Sequence, residues 1–285
     1  MTTKAMDKFI GFGGGLNMHV RIYEGGGKTP VLCLHGLTRN ERDFQDLAPM
    51  IAATGRDVAA LTFRGRGRSD RDPEYRNYHP LTYRDDVLTA MDALEIDSAA
   101  FVGTSLGGIT AMLVNEAAPE RVKGAVINDV GPELAVEGLT RIAGYAGKTK
   151  TQVASLDEAA AEIRAVNGVA FPGKDDDFWR MFARRTFREN EDGSWTLDYD
   201  PSIGKALAEV GPAPDLWAAF ASLKNKPTLI IRGAISDLLT PPIIDKMRGV
   251  HPSFDYAEVA NVGHAPTLSE PEAWNAIETF LERLS

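Results

Sequence analysis

Through the first 130 residues, short apolar runs rich in β-branched side chains alternate with longer amphipathic stretches. Residues 9–12 and 17–23 read as two strands joined through Gly13-Gly14-Gly15, a hairpin. No helix follows that glycine run, so it does not read as a dinucleotide-binding loop. Residues 31–34 form a buried-type strand leading to a helix over 44–53, and residues 57–63 form the next strand. Over 81–94, Tyr83, Val87, Leu88, Met91 and Leu94 share one helical face. A strand at 98–102, a helix at 108–114 and a strand over Val122–Asn128 continue the rhythm. Such alternation predicts a mostly parallel sheet covered by helices on both faces, an α/β fold.

The rhythm breaks after Asp129-Val130-Gly131-Pro132. Helical stretches near 134–146, 156–167 and 177–188 follow one another without intervening strands, then a polar-aromatic segment runs over 193–201. Strand and helix alternate again from Thr228, and the chain closes on a helix over 271–284. Residues 1–130 and 215–285 are therefore expected to build one core, with 131–214 inserted into it.

One junction in this pattern carries chemistry. The apolar strand at 98–102 passes through Gly103-Thr104-Ser105-Leu106-Gly107 directly into a helix. A strand that turns through G-x-S-x-G into a helix is a nucleophile elbow. The turn is tight enough that glycines are needed beside it, and it holds Ser105 Oγ clear of the sheet at a helix N-terminus. Downstream, Asp237 follows the β-rich run 228–233, and His264 sits just past a strand-like segment in Val262-Gly263-His264-Ala265-Pro266. Upstream, the strand at 31–34 ends in His35-Gly36-Leu37.

Ser, then Asp, then His, each on a loop after a strand, with a His-Gly turn ahead of them, resembles the α/β-hydrolase superfamily in its cap-bearing branch. The resemblance runs from about residue 8 to the end. It implies an eight-stranded, mostly parallel sheet, and it makes residues 131–214 a helical cap inserted after the sixth strand. It implies Ser105 as nucleophile, His264 as general base and Asp237 as the acid that orients the imidazole. Asp129, at the end of the strand after the elbow helix, is the rival acid, since some members carry theirs there. The oxyanion hole is expected from the backbone N–H groups of Leu106 and Leu37, the latter chosen over Thr38 and held by the His35-Gly36 turn.

The implied activity is hydrolysis of a carboxylic ester or lactone of a small to medium apolar substrate through an acyl-serine intermediate. The alternative is a carbon–carbon hydrolase of aromatic ring-cleavage products. Those relatives follow the histidine with tryptophan, and this chain has Ala265 there. A non-catalytic receptor on a hydrolase scaffold is the remote alternative. The family also carries a turn of the form Asp-x-Arg-Gly-x-Gly-x-Ser; here Thr62 stands in place of the aspartate, ahead of Arg64-Gly65-Arg66-Gly67-Arg68-Ser69. That segment is expected to be a packed loop.

Composition narrows the picture. A formal charge of −9 over 285 residues argues against a nucleic-acid binder. The single cysteine, Cys33, lies in an apolar strand and fits a reducing compartment. With neither a signal-peptide pattern nor an apolar run of spanning length, a cytoplasmic protein without membrane attachment is expected. No metal-ligand spacing and no cofactor motif is visible, so the expected partner is a small-molecule substrate alone. Oligomeric state is not readable. The arginines of the third inserted helix, among them Arg180, Arg184, Arg185 and Arg188, read either as a solvated face or as a source of one arginine that holds a substrate carboxylate.

Overall fold

The computed structural model describes residues 4–209 and 215–284. Its main sheet starts with β1 (Ala5–Gly11), antiparallel to the long β2 (Asn17–Leu34) across a turn in which Gly13, Gly14 and Gly15 all have positive φ. β2 bends at Gly25–Gly27 and contacts β3 (Arg56–Leu61) twice. Val20 to Tyr23 pair with Leu61 to Val58 in opposite directions, and Val31 to Leu34 pair with Val58 to Leu61 in parallel. Counting the two limbs of β2 separately, the sheet has the eight strands that the sequence implies. β4 (Ala99–Thr104), β5 (Val122–Asn128), β9 (Thr228–Gly233) and β10 (Asp255–Val259) extend it in parallel. Of these, β4, β5 and β9 are buried almost throughout, as strands covered on both faces must be, while β10 at the edge buries only Val259 fully.

The helices on the sheet are α1 (Leu47–Ala53), α2 (Pro80–Ala93), α3 (Leu106–Ala117), α8 (Leu216–Ser222), α9 (Pro241–Val250) and α10 (Pro271–Glu282). The expected helix over 44–53 is split: Glu41–Phe44 is a short 3-10 turn capped by Asn40, and α1 begins at Leu47.

Between β5 and β9 the chain leaves the sheet. The excursion holds α4 (Val136–Tyr145), α5 (Leu156–Asn167), α6 (Asp176–Thr186) and α7 (Ser202–Glu209). It is not wholly helical. β6 (Gln152–Val153), β7 (Phe187–Glu189) and β8 (Trp195–Leu197) form a small antiparallel sheet in the order β6-β8-β7. The helix expected over 177–188 therefore stops at Thr186, where β-prone Phe187 finds a strand partner in Leu197. The expected far boundary of the insertion, residue 214, lies outside the described residues.

Backbone and side-chain bonds seat the excursion on the sheet edge from several directions. Gly67 N donates to Asp198 O (2.8 Å), Asp200 N to Gly65 O (2.7 Å) and Gly263 N to Ala170 O (2.7 Å). The Arg64–Ser69 segment is a packed loop, as expected: Arg64 bridges Asp72 and Asp86, and Arg66 is 1% exposed. Thr62, the departure from the family turn, donates to the buried carboxylate of Glu41 at 2.6 Å. Burial opposes ionisation of Glu41, but the His19 imidazole 3.7 Å away and the Thr62 hydrogen bond outweigh it and hold its carboxyl down at about 2.

Candidate active site

The elbow between β4 and α3 is enforced by contact. A Cβ on Gly103 would lie 2.4 Å from Gly107 O, and one on Gly107 would lie 1.9 Å from Leu34 O. Ser105 itself has φ 52° and ψ −115°, an unfavourable conformation for a residue with a Cβ. Its N–H is bonded to Asn128 O of β5 at 2.9 Å, which ties the strained turn to the neighbouring strand.

His264 lies beyond β10, and its loop is anchored where Asn128 Nδ2 donates to Pro266 O at 2.8 Å. His264 Nε2 is 2.9 Å from Ser105 Oγ, and His264 Nδ1 is 2.8 Å from Asp129 Oδ2. Asp129, at the end of β5, is fully buried and has φ 54°. Besides His264 it has two donors: Gly233 N to Oδ1 at 2.8 Å and Ser236 Oγ to Oδ2 at 2.6 Å. A buried carboxylate satisfied by three donors stays an acceptor, so Nδ1 carries the imidazole proton and Nε2 faces the serine hydroxyl as acceptor.

This geometry corrects the expectation for Asp237. Its carboxylate turns toward the insertion, where Arg141 of α4 grips it through Nε (2.6 Å) and a terminal nitrogen (2.8 Å). That hydrogen-bonded guanidinium, against some opposing burial, lowers the Asp237 carboxyl below its ordinary range. β5 and β9 are adjacent in the sheet, so Asp129 and Asp237 both emerge near His264. Arg141 claims one, and the donors of the β9 loop orient the other. Nothing in the neighbouring sequence marks Ser236 and Gly233 as supports of the site, because the group they hold lies more than a hundred residues away.

The His-Gly turn is also built from the side chain inward. His35 is fully buried; its Nδ1 donates to Gly36 O (2.7 Å) and its Nε2 accepts from Phe63 N (3.0 Å). Burial pushes the imidazole down to about 4, so it remains neutral near pH 7. Gly36 O also accepts from Arg39 N at 3.2 Å. With that carbonyl held on one side, the trans peptide directs the Leu37 N–H to the other. Leu37 is itself secured by Arg66 Nε, which donates to its carbonyl at 2.9 Å. A Cβ on Gly36 would lie 3.8 Å from Ser105 Cβ, so the turn abuts the serine.

Two cavities meet at Ser105. One, of about 310 Å³, is walled by apolar groups including Leu106, Ile109, Val130, Leu134 and Ile203. The other, of about 100 Å³, lies under α5 and α6 and includes His264, Arg39, Asp43, Arg185 and Thr186. Phe171, Phe178, Trp179 and Phe182 pack as one aromatic cluster, from which Phe171 and Phe182 face this second cavity. Among the described residues, no helix is long and apolar enough to cross a membrane.

A sheet of this topology, with a serine on a strand–helix elbow against a histidine, defines an α/β-hydrolase type of protein. Residues 31–277 match the model of the alpha/beta hydrolase family, and the chain belongs to that family. A solved alpha/beta hydrolase from Novosphingobium aromaticivorans superposes with a TM-score of 0.92 at 37% identity, with all of both chains covered. The chain is 32% identical to a 3-hydroxybutyrate-oligomer hydrolase of Cupriavidus necator over 85% of its length and 84% of the relative's. It is also 27% identical to a 2-(acetamidomethylene)succinate hydrolase of Mesorhizobium japonicum, over 94% and 93% of the two chains.

Proposed function

We propose that the protein is a serine hydrolase that cleaves carboxylic esters through an acyl-serine intermediate. The observation that carries this reading is the pair of contacts made by one imidazole: Nε2 to Ser105 Oγ at 2.9 Å and Nδ1 to Asp129 Oδ2 at 2.8 Å. An alkyl hydroxyl needs a base within hydrogen-bond reach to attack a carbonyl near neutral pH, and this arrangement supplies one. His264 takes the Ser105 proton as the Oγ–carbonyl bond forms, and Asp129 stabilises the resulting imidazolium. The N–H of Leu106, at the start of α3, and the Leu37 N–H turned out by His35 and Gly36 face the developing oxyanion. His264 then protonates the departing alcohol, and water repeats the sequence on the acyl-enzyme to release the acid. The inserted segment is the cap: it roofs Ser105 and excludes water from the acyl transfer. The Cupriavidus necator relative, named for a substrate whose units are joined by ester bonds, favours esters among the family's reactions.

A fluorophosphonate probe tests the assignment. It is expected to add to Ser105, and Ser105→Ala is expected to abolish labelling and lower kcat for p-nitrophenyl butanoate by about 10⁴-fold or more. Tandem mass spectrometry placing the adduct on another serine, or turnover surviving in the variant, refutes the assignment.

A further inference from the structure

We propose that Arg185 binds a carboxylate carried by the leaving alcohol, so that the preferred substrates are esters whose alcohol part is a short hydroxy acid. This inference rests on the acyl-serine reading and extends it to the substrate's two ends. The two cavities share Leu37, Ser105 and Ile142, and so extend from the serine in different directions. Only the smaller one is lined by His264. The leaving oxygen must receive its proton from His264, so the alcohol part occupies the smaller cavity, and the acyl chain falls to the larger, apolar one.

The charges lining the smaller cavity are unequal. Arg39 is already engaged: its Nε and one terminal nitrogen bind Asp43, its other terminal nitrogen binds Thr186, and its guanidinium lies 4.0 Å from the centre of the Phe182 ring. Arg185 is 5% exposed, and the carboxylate it reaches, Asp46, is half exposed toward solvent. Its Nε is buried with no hydrogen-bond partner among the described residues. A buried guanidinium N–H without an acceptor is costly; Asp46 bonds a terminal nitrogen and leaves Nε unmet, and a substrate carboxylate in this cavity supplies that acceptor. The backbone of Arg185 is fixed from the core, where Asn40 Nδ2 donates to its carbonyl at 2.9 Å. With about 100 Å³ available, a short chain fits between the ester oxygen and that carboxylate.

The bonds balance without a further reactant. The Ser105 Oγ–acyl bond forms as the acyl–oxygen bond breaks, and the serine proton passes through His264 to the leaving oxygen. The hydroxy acid departs with its carboxylate unchanged, and water then releases the acyl group.

Three butanoyl esters decide the matter: 3-(butanoyloxy)butanoate, its neutral analogue 3-(butanoyloxy)butanamide, and p-nitrophenyl butanoate. The wild-type protein is expected to favour the acid over the amide by about 10–100-fold in kcat/KM, expressed mainly in KM. Arg185→Met should bring that ratio to about one, and Arg185→Lys, which keeps the charge but not the fork, should retain several-fold. Because the ratio is internal, partial loss of folded protein leaves it unchanged, and the wild-type ratio stands by itself if Arg185→Met does not fold. A wild-type ratio near one, or an undiminished ratio in Arg185→Met, overturns the inference while turnover of p-nitrophenyl butanoate leaves the acyl-serine reading intact. Hydrolysis of none of the three overturns both.

Discussion

Replacing Asp129 by asparagine changes one atom of the carboxyl group, and the structure says which way the new amide must face. Gly233 N donates to Oδ1 at 2.8 Å from a backbone that cannot rotate, so the amide oxygen has to stay there. The NH₂ then falls on the side of Ser236 Oγ and His264 Nδ1, at the position now 2.6 Å and 2.8 Å from them. The Ser236 hydroxyl already accepts from Leu238 N and Leu239 N, so the amide N–H must be received by the imidazole, which can accept only by moving its proton to Nε2. In that tautomer Nε2 donates toward Ser105 and is no longer able to take its proton. Loss of the base function corresponds to roughly 10⁴-fold in kcat, or about 5.5 kcal/mol of transition-state stabilisation. Asp237→Asn instead weakens a partly exposed pair with Arg141 of α4, worth about 1 kcal/mol. It should reduce kcat by less than about 10-fold. Initial rates of p-nitrophenyl butanoate hydrolysis near pH 8, on protein whose fold is confirmed by circular dichroism, compare the two variants. If Asp129→Asn keeps kcat within about 10-fold of wild type, or Asp237→Asn falls as far, the assignment of the orienting carboxylate is wrong.

Two further outcomes concern stability. Gly107→Ala places a methyl 1.9 Å from Leu34 O, between two backbone segments with no flexible side chain to yield, and should cost about 3 kcal/mol or more. A chemical-denaturation midpoint equal to wild type refutes the close-packed elbow. His35 is held near 4 by burial, below its unfolded value, so between those values the unfolded chain binds the extra proton. The stability associated with neutral His35 is fully present above about pH 6.5 and is lost as pH falls toward 4, amounting to about 3 kcal/mol. Urea unfolding at pH 7 and pH 4.5 should therefore show a smaller acid loss in His35→Asn than in wild type, and equal losses would refute it.

Much of the site is legible in the chain because its constraints are local or ordered along the sequence. The elbow needs glycine at 103 since the backbone folds back onto Gly107 within five residues, whereas glycine at 107 answers to Leu34 of the neighbouring strand; the apolar strand and helix on either side declare the turn. The His35-Gly36 turn closes on its own neighbouring carbonyl. The alternation of strands and helices, and the length over which it lapses, mark the sheet and the insertion before any contact is known. The choice between Asp129 and Asp237 has no such local signature: both follow buried strands, and those strands lie side by side. That choice is made by competition for partners, with Arg141 arriving from the insertion to bind one carboxylate, while Gly233 and Ser236 arrive from the next strand to bind the other. The strand pairing of Phe187 with Leu197 and the placing of Arg185 of α6 against the cavity beside Ser105 belong to the same class. Each depends on which groups meet when distant segments pack, and a buried polar group takes whichever partner the packing brings within reach.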